Sequence, residues 1–283
     1  MNTSGHSVFR RLLRHPSGLV GLLIIALVVL MSASAGFIFP EGPWVLGGRP
    51  RTWPGVDPAF PLGTDALGRD MVAALFYGAR VSLAVGAAAA LVSLVIGTLV
   101  GAIAGYYGGW LDDVLMRLTD AMQTIPSFLA AIAIVGVVGA SLSTIIIAIA
   151  VVSWPMIARL VRADFLRLRT YDFVQSCKII GMSDLRIIFG QILPNCLAPI
   201  IVSSSVLVAT AIITEASLAF LGLGDPNVMS WGTILSTGRP ELRSGWYMTA
   251  FPAVALVLTV LALNLIGDAL NDVLNPRLKE RKS

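Results

Sequence analysis

Residues 171–195 read YDFVQSCKIIGMSDLRIIFGQILPN, with Asp172, Lys178, Asp184, Arg186 and a central Gly181 set between long uncharged runs. Those flanking runs decide the fold class. The chain has 283 residues, 56% of them hydrophobic and only 13% charged, with a mean hydropathy of +0.83. Soluble domains carry roughly a quarter charged residues, so this composition is that of a membrane protein. The net charge of +4 fits basic residues flanking membrane spans better than a nucleic-acid surface.

A crossing helix needs about 20 apolar residues for a core of roughly 30 Å. Uncharged runs cover Pro16–Pro40, Val81–Trp110, Ala121–Ala158, Ile187–Thr214 and Ser244–Gly267. The third is too long for one span and divides at Gly136–Ser141, where two glycines allow a tight turn. The expectation is an all-α integral membrane protein with six transmembrane helices. With the N-terminus inside, fourteen Lys and Arg fall on the inner side and six on the outer. Both termini and the segment from Arg159 to Arg186 are therefore expected in the cytoplasm. The expected organisation is a tail, first span and external loop over 1–80, then a five-helix core over 81–283 with a cytoplasmic loop at about 163–195 and a cytoplasmic C-terminal tail.

The apolar run after Arg10, Arg11 and Arg14 is longer than a usual signal-peptide core and reads as an uncleaved first span, although SASAG within it leaves a cleavage reading open. Cys177 and Cys196 make neither a disulfide framework nor a metal site, and His6 and His15 lack partners at useful spacing. In the first external loop Thr64 can cap a helix starting near Asp65, with Leu67, Met71, Val72, Leu75 and Phe76 on one side, a pattern suited to the membrane surface. Gly97, Gly101 and Gly105, four apart, form a ridge that lets another helix approach closely. Ser203, Thr210, Thr214 and Ser217 share a face of the fifth span. They are either hydroxyls bonded back to their own helix or the mildly polar wall of a path. Trp154-Pro155, Pro126 and Pro199 either bend helices at a gate or only shape packing.

Within the opening stretch, Val174, Cys177 and Lys178 read as a short helix stopped by Gly181, and Ser183 caps a restart towards Pro194. Such a segment is either a rigid handle for a soluble partner or a plain connector.

The spacing of FVQSCKIIGMSDLRIIFGQILPN resembles the EAA loop of permease subunits from bacterial binding-protein-dependent ABC importers. The Glu-Ala-Ala triplet of that family falls on Gln175, Ser176 and Cys177, its glycine on Gly181, and its Leu-Pro pair on Leu193 and Pro194. Gln-Ser-Cys departs from the usual triplet. PLGTDALGRD, YGARVSLAVG, AGYYGGWLDDVLMRLTDAM, IPSFLAAIAIVGVVG, EASLAFLGLG, SWGTIL and NLIGDALNDVLNPRL are similar to the dipeptide, oligopeptide and nickel branch, and within it to the second, C-type permease. This similarity runs from about Pro61 to Leu278. The resemblance implies a multi-pass subunit of the bacterial inner membrane that forms half of a path for di- or oligopeptides, with nickel or another small solute as the alternative cargo. It implies as partners a second homologous permease, two ATP-binding cassette ATPases and an extracytoplasmic binding protein. It also implies that Tyr171, Phe173, Val174, Gln175, Ser176, Cys177, Lys178, Gly181, Met182 and Ser183 form the helix that couples to an ATPase. ATP and Mg would then belong to the partners, and the chain itself carries no G-x-x-x-x-G-K-[ST] phosphate loop and binds no cofactor of its own.

The main rival is a secondary transporter. Such proteins place ionisable groups at mid-membrane. Asp120, Glu215 and Asp268 fall near expected span ends, and Glu215 is the candidate for ion coupling. A membrane enzyme would need a nucleophile with its base or a metal cluster, and no histidine falls in the spans or core loops.

Overall fold

The computed structural model describes residues 5–274; Met1–Ser4 and the expected C-terminal tail with Arg277, Lys279, Arg281 and Lys282 lie outside the described residues. A short helix α1 (Gly5–Arg14) leads into α2 (Pro16–Ile38), the first apolar helix. Four more continuous stretches are long and apolar enough to cross a bilayer. They are α3 (Met71–Tyr107), α6 (Leu142–Leu168), α11 (Tyr247–Leu274), and the unbroken run Asp184–Leu223 that contains α8 (Asp184–Ile187) and α9 (Leu193–Leu218).

The sixth crossing is not one rod. It is the pair α4 (Gly109–Thr124) and α5 (Ser127–Val138), bent by 82°. Proline forces the residue before it out of the helical region, and Ile125, ahead of Pro126, is extended at φ −89°, ψ 129°. Helix α5 has 12 residues, about 18 Å at 1.5 Å per residue, too short to span alone. The break before α6 falls where expected: Gly139 takes φ +104°, and the Ser141 hydroxyl caps α6 by accepting from the Thr144 amide. Pro155 and Pro199 stay inside continuous helices.

The expected surface helix from Asp65 does not form. Thr64 is fully buried, where its hydroxyl donates to Arg49 O and accepts from the Thr52 amide, so it cannot cap. Residues 64–70 instead close a tight loop with isolated bridges Leu46–Arg69 and Thr64–Asp70. Asp70 supplies the cap through a 2.8 Å bond from the Val72 amide, and α3 then runs 37 residues without interruption. The expected division after residue 80 falls inside this helix, so the first loop and the core share one element.

The glycine ridge is the principal seam of the bundle. A Cβ on Gly97 would stand 2.6 Å from Ile157 Cβ, one on Gly105 2.5 Å from Phe165 Cβ, and one on Gly101 would collide with Ala158 O. All three residues met belong to α6, so α3 and α6 approach to backbone contact along three turns. Gly18 and Gly21 do the same for α2 against Ala269, Ala262 and Ile266 of α11. The start of α2, the ends of α3, α6 and α11, and the segment after α6 lie at one end of the bundle. His15 lies 3.3 Å from Asp272 there, and Arg169 donates to the terminal carbonyls of Gly105 and Tyr106.

Candidate functional site

Beyond Leu168 the chain turns through Arg169 and Thr170 into α7 (Asp172–Ile179), with Tyr171 as its N-cap residue. One residue of α7 anchors it. Val174 is fully buried among Phe165, Leu168, Ile187, Ile188 and Ile192, with Cys177 and Met182 packed against the same cluster. The helix ends in a complete glycine stop: Gly181 N donates to Lys178 O and Met182 N to Cys177 O, with Gly181 at φ +77°. This double bond pattern satisfies carbonyls that would otherwise be orphaned at the helix end.

Ser183 occupies the N-cap position of α8 with extended backbone, but its hydroxyl makes no capping bond; its carbonyl receives the Ile187 amide. The restart is held instead by Asp184, which accepts a 2.6 Å bond from the Tyr106 hydroxyl. Lys178 Nζ sits 5.2 Å from the centre of that same ring. Gln175 donates to Arg169 O at 2.8 Å, closing the α6–α7 turn. A glutamate at 175 would have no proton to give to that carbonyl.

The opposite face of the segment is bare. Tyr171, Phe173, Ser176, Ile179, Ile180 and Leu185 are exposed, Ile179 at 84% and Ile180 at 74%. Downstream, Ile188–Ile192 forms a π-turn, and Leu193 N reaches back five residues to Ile188 O. The wider turn absorbs Pro194, which lacks an amide and crowds the carbonyl four residues before it.

Ser203, Thr210, Thr214 and Ser217 do share one accessible face of α9, with Thr210 exposed and the others half-buried. Thr210, Thr214 and Ser217 each donate to the carbonyl four residues earlier, so they line this face as self-satisfied hydroxyls. A groove of about 330 Å³ opens beside Ser217, walled by Phe128, Ile213, Phe220, Leu235 and Leu256.

Glu215 turns away from that face. It is 3% exposed and accepts from the Ser82 hydroxyl of α3 at 3.2 Å. Ser82 in turn accepts from the Trp231 amide at the start of α10 (Trp231–Gly238). Spacing alone gave no hint of this node, because Ser82 lies 133 residues from Glu215 and 149 from Trp231. Asp120 pairs with Arg159, and Asp112 with Arg162 through both carboxylate oxygens, fastening α4 to α6.

The far end of the bundle is closed by the long first loop. The buried Tyr247 hydroxyl lies 2.7 Å from Thr64 O and 2.9 Å from Thr52 O, and Trp53 packs against Tyr247 and Trp246. Arg51 grips Glu241 through two bonds. This contact holds the Glu241 carboxyl down at about 2 and raises the Arg51 guanidinium.

Comparison with known proteins is consistent along the whole chain. Residues 97–280 match the family described as binding-protein-dependent transport system inner membrane component. Residues 3–46 match the N-terminal TM domain of oligopeptide transport permease C, so the likeness reaches well ahead of Pro61. A putative peptide transport system permease protein of Brucella abortus is 42% identical over 279 residues, covering 95% of this chain and 91% of the relative. The dipeptide transport system permease protein DppC of Haemophilus influenzae is 41% identical over 268 residues, covering 93% and 91%. The glutathione transport system permease protein GsiD of Pectobacterium atrosepticum is 37% identical over 280 residues, covering 99% and 93%. Among solved structures, an inward-facing form of the MetNI methionine ABC transporter superposes with a TM-score of 0.57 at 20% identity. It covers 71% of this chain and 96% of that one, a likeness of fold.

Proposed function

The chain belongs to the family of inner membrane components of binding-protein-dependent transport systems, as a multi-pass ABC permease subunit, and on that premise we propose that it forms half of the translocation path of an ATP-driven peptide importer. A second homologous permease would complete the path, two cytoplasmic ATPases would drive it, and an extracytoplasmic binding protein would deliver the cargo. The names of the relatives, peptide, dipeptide and glutathione permeases, support a peptide cargo. The distribution of Lys and Arg supports a cytoplasmic position for both termini and for α7.

The observation that carries the reading is α7. One face is locked to the bundle through Val174, and Tyr171, Phe173, Ile179 and Ile180 are exposed among the described residues. A short helix anchored this way can sit in a cleft of an ATPase and pass its movement into α6 and α8. In this reading Gln175, Ser176, Cys177 and Lys178 set its orientation, and Gly181, Met182 and Ser183 form the turn that returns the chain to the membrane. When the ATPases close, the two α7 helices of the paired permeases are drawn together, and the spans alternate between outward and inward access. Thr210, Thr214, Ser217 and Ser203 would face the path. The Thr210, Thr214 and Ser217 hydroxyls are already satisfied by the helix, so they offer a weakly polar surface that holds no peptide tightly, which suits a path open to varied cargo.

Purification from native membranes in mild detergent tests the reading. A second permease of similar size with P-loop ATPases is the expected company. A solitary chain or homo-oligomer across several mild detergents would overturn it.

A further inference from the structure

A cavity lies at the loop end, where α2 stops at Ile38 and the first loop folds back over the start of α3. Its volume is about 340 Å³, within the range of small-ligand pockets. Phe39, Pro43, Val45 and Phe60 make apolar walls, with Ala73 of α3 behind them. Two carboxylates, Asp70 and Glu41, also line it. Two other carboxylates at this end have basic partners, Glu241 with Arg51 and Asp65 with Arg69. Among the described residues neither Asp70 nor Glu41 takes part in an ion pair. The neighbouring Arg69 lies over the Trp44 ring and lines a separate cavity with Asp65 and Met229. Burial pushes the Asp70 carboxyl above its ordinary range, opposed by the Val72 and Ala73 amides alone.

An apolar slot with an exposed carboxylate, Glu41, and a second, Asp70, that caps α3 but has no cationic partner fits an occupant with a hydrocarbon stem and a cationic head. Lysine and arginine side chains have that build, burying their methylenes and presenting charge at the tip. The walls are mostly loop residues beyond the end of α2, and Glu41 is exposed, which suits a soluble partner better than acyl chains.

We propose that this cavity receives a lysine or arginine side chain of the extracytoplasmic binding protein, making Asp70 and Glu41 a docking site on the outer face of this subunit. The inference rests on the importer reading above, which supplies the partner.

The test uses the complete transporter in lipid nanodiscs and its binding protein, with affinity measured over a series of salt concentrations. Glu41→Gln and Asp70→Asn remove charge while Asn keeps the acceptor that caps α3. The double variant is expected to weaken binding about tenfold and to flatten its salt dependence, as loss of interfacial charge does. Asp57→Asn, a loop carboxylate outside the cavity, is the control and is expected to leave affinity unchanged. A scan of lysines and arginines on the binding protein should yield one residue whose loss is not additive with the double variant. Unchanged affinity in the double variant, or an equal loss in the Asp57→Asn control, overturns the docking site and leaves the importer reading standing. Absence of any binding-protein association by the unmutated transporter overturns both.

Discussion

The Tyr106 hydroxyl donates a 2.6 Å hydrogen bond to Asp184, tying the last turn of α3 to the residue that restarts the chain after the exposed α7 segment. Together with Lys178 over the same ring, this fixes the last turn of α7 and the restart at Asp184 to one aromatic side chain. Tyr106→Phe keeps the ring and removes the bond. A net loss of about 1 kcal/mol is expected, small in thermal unfolding but concentrated at the segment. Transport per ATP hydrolysed in proteoliposomes should fall several-fold, and an unchanged ratio would show that the tie plays no part in coupling.

Gly101 is predicted to tolerate no side chain. Gly101→Ala drives a methyl into Ala158 O and the Val161 side chain, and overpacking of this kind costs about 1–3 kcal/mol. Gly136, in α5, has nothing within 4 Å of its would-be Cβ, so Gly136→Ala should leave the melting temperature of the purified chain unchanged or slightly higher. Equal melting temperatures for the two variants would refute the close seam.

At Gly181 the constraint is conformation, since nothing lies within 4 Å of a Cβ there but φ is +77°. Gly181→Asn should therefore retain coupling, because asparagine enters the left-handed region readily. Gly181→Val should hydrolyse ATP without transport while still inserting in the membrane. Full uptake by the valine variant would sink the assigned role of the turn.

Acid should loosen the long first loop. The Glu241 carboxyl is held at about 2 chiefly by its hydrogen bond from Arg51, against an ordinary value of 4.5. A group depressed in the folded state contributes stability above its unfolded value and loses it as pH falls through the folded one. The contribution is therefore present above about pH 4.5 and fades towards pH 2. Glu241→Gln should remove this part of the acid sensitivity, measured as the difference in unfolding temperature between pH 6 and pH 3, roughly spanning that window.

Glu215 separates the importer from the ion-coupled rival. Its carboxylate joins α9 to α3 and, through Ser82, to α10. Gln is nearly isosteric and can still accept from Ser82, so Glu215→Gln should retain ATP-dependent uptake within a few-fold. Glu215→Ala should lower thermal stability by about 1–3 kcal/mol, because Ser82 loses a buried partner. Complete loss of uptake in the Gln variant, with ATP hydrolysis intact, would favour ion coupling.

Those elements whose cause lies within one or two turns were legible in the sequence. The Gly97–Gly101–Gly105 spacing announced a close seam, and Gly181 announced a helix stop, because both depend on residues four or fewer apart. The bend at Pro126 was one of two readings left open there, as at Pro155 and Pro199, because a proline alone does not say whether a helix breaks or continues through it. The surface helix was misread because Thr64 looks like a cap until the fold brings Arg49 and Thr52 to its hydroxyl. The tie from Tyr106 to Asp184 and the node at Glu215 join residues 78 and more apart, which no local pattern reveals.

Helix α6, notched into α3 at three successive turns and continued to Leu168 with Pro155 inside it, behaves as one half of a laminated beam. In the proposed importer, a load applied at Val174 would be carried by α3 and α6 together through their long contact. Backbone pairing is widened or missing at the π-turns Ile188–Ile192 and Ala219–Leu223 and at the elbow of Pro126. In that reading the stiff pair is a lever and these soft joints are its hinges.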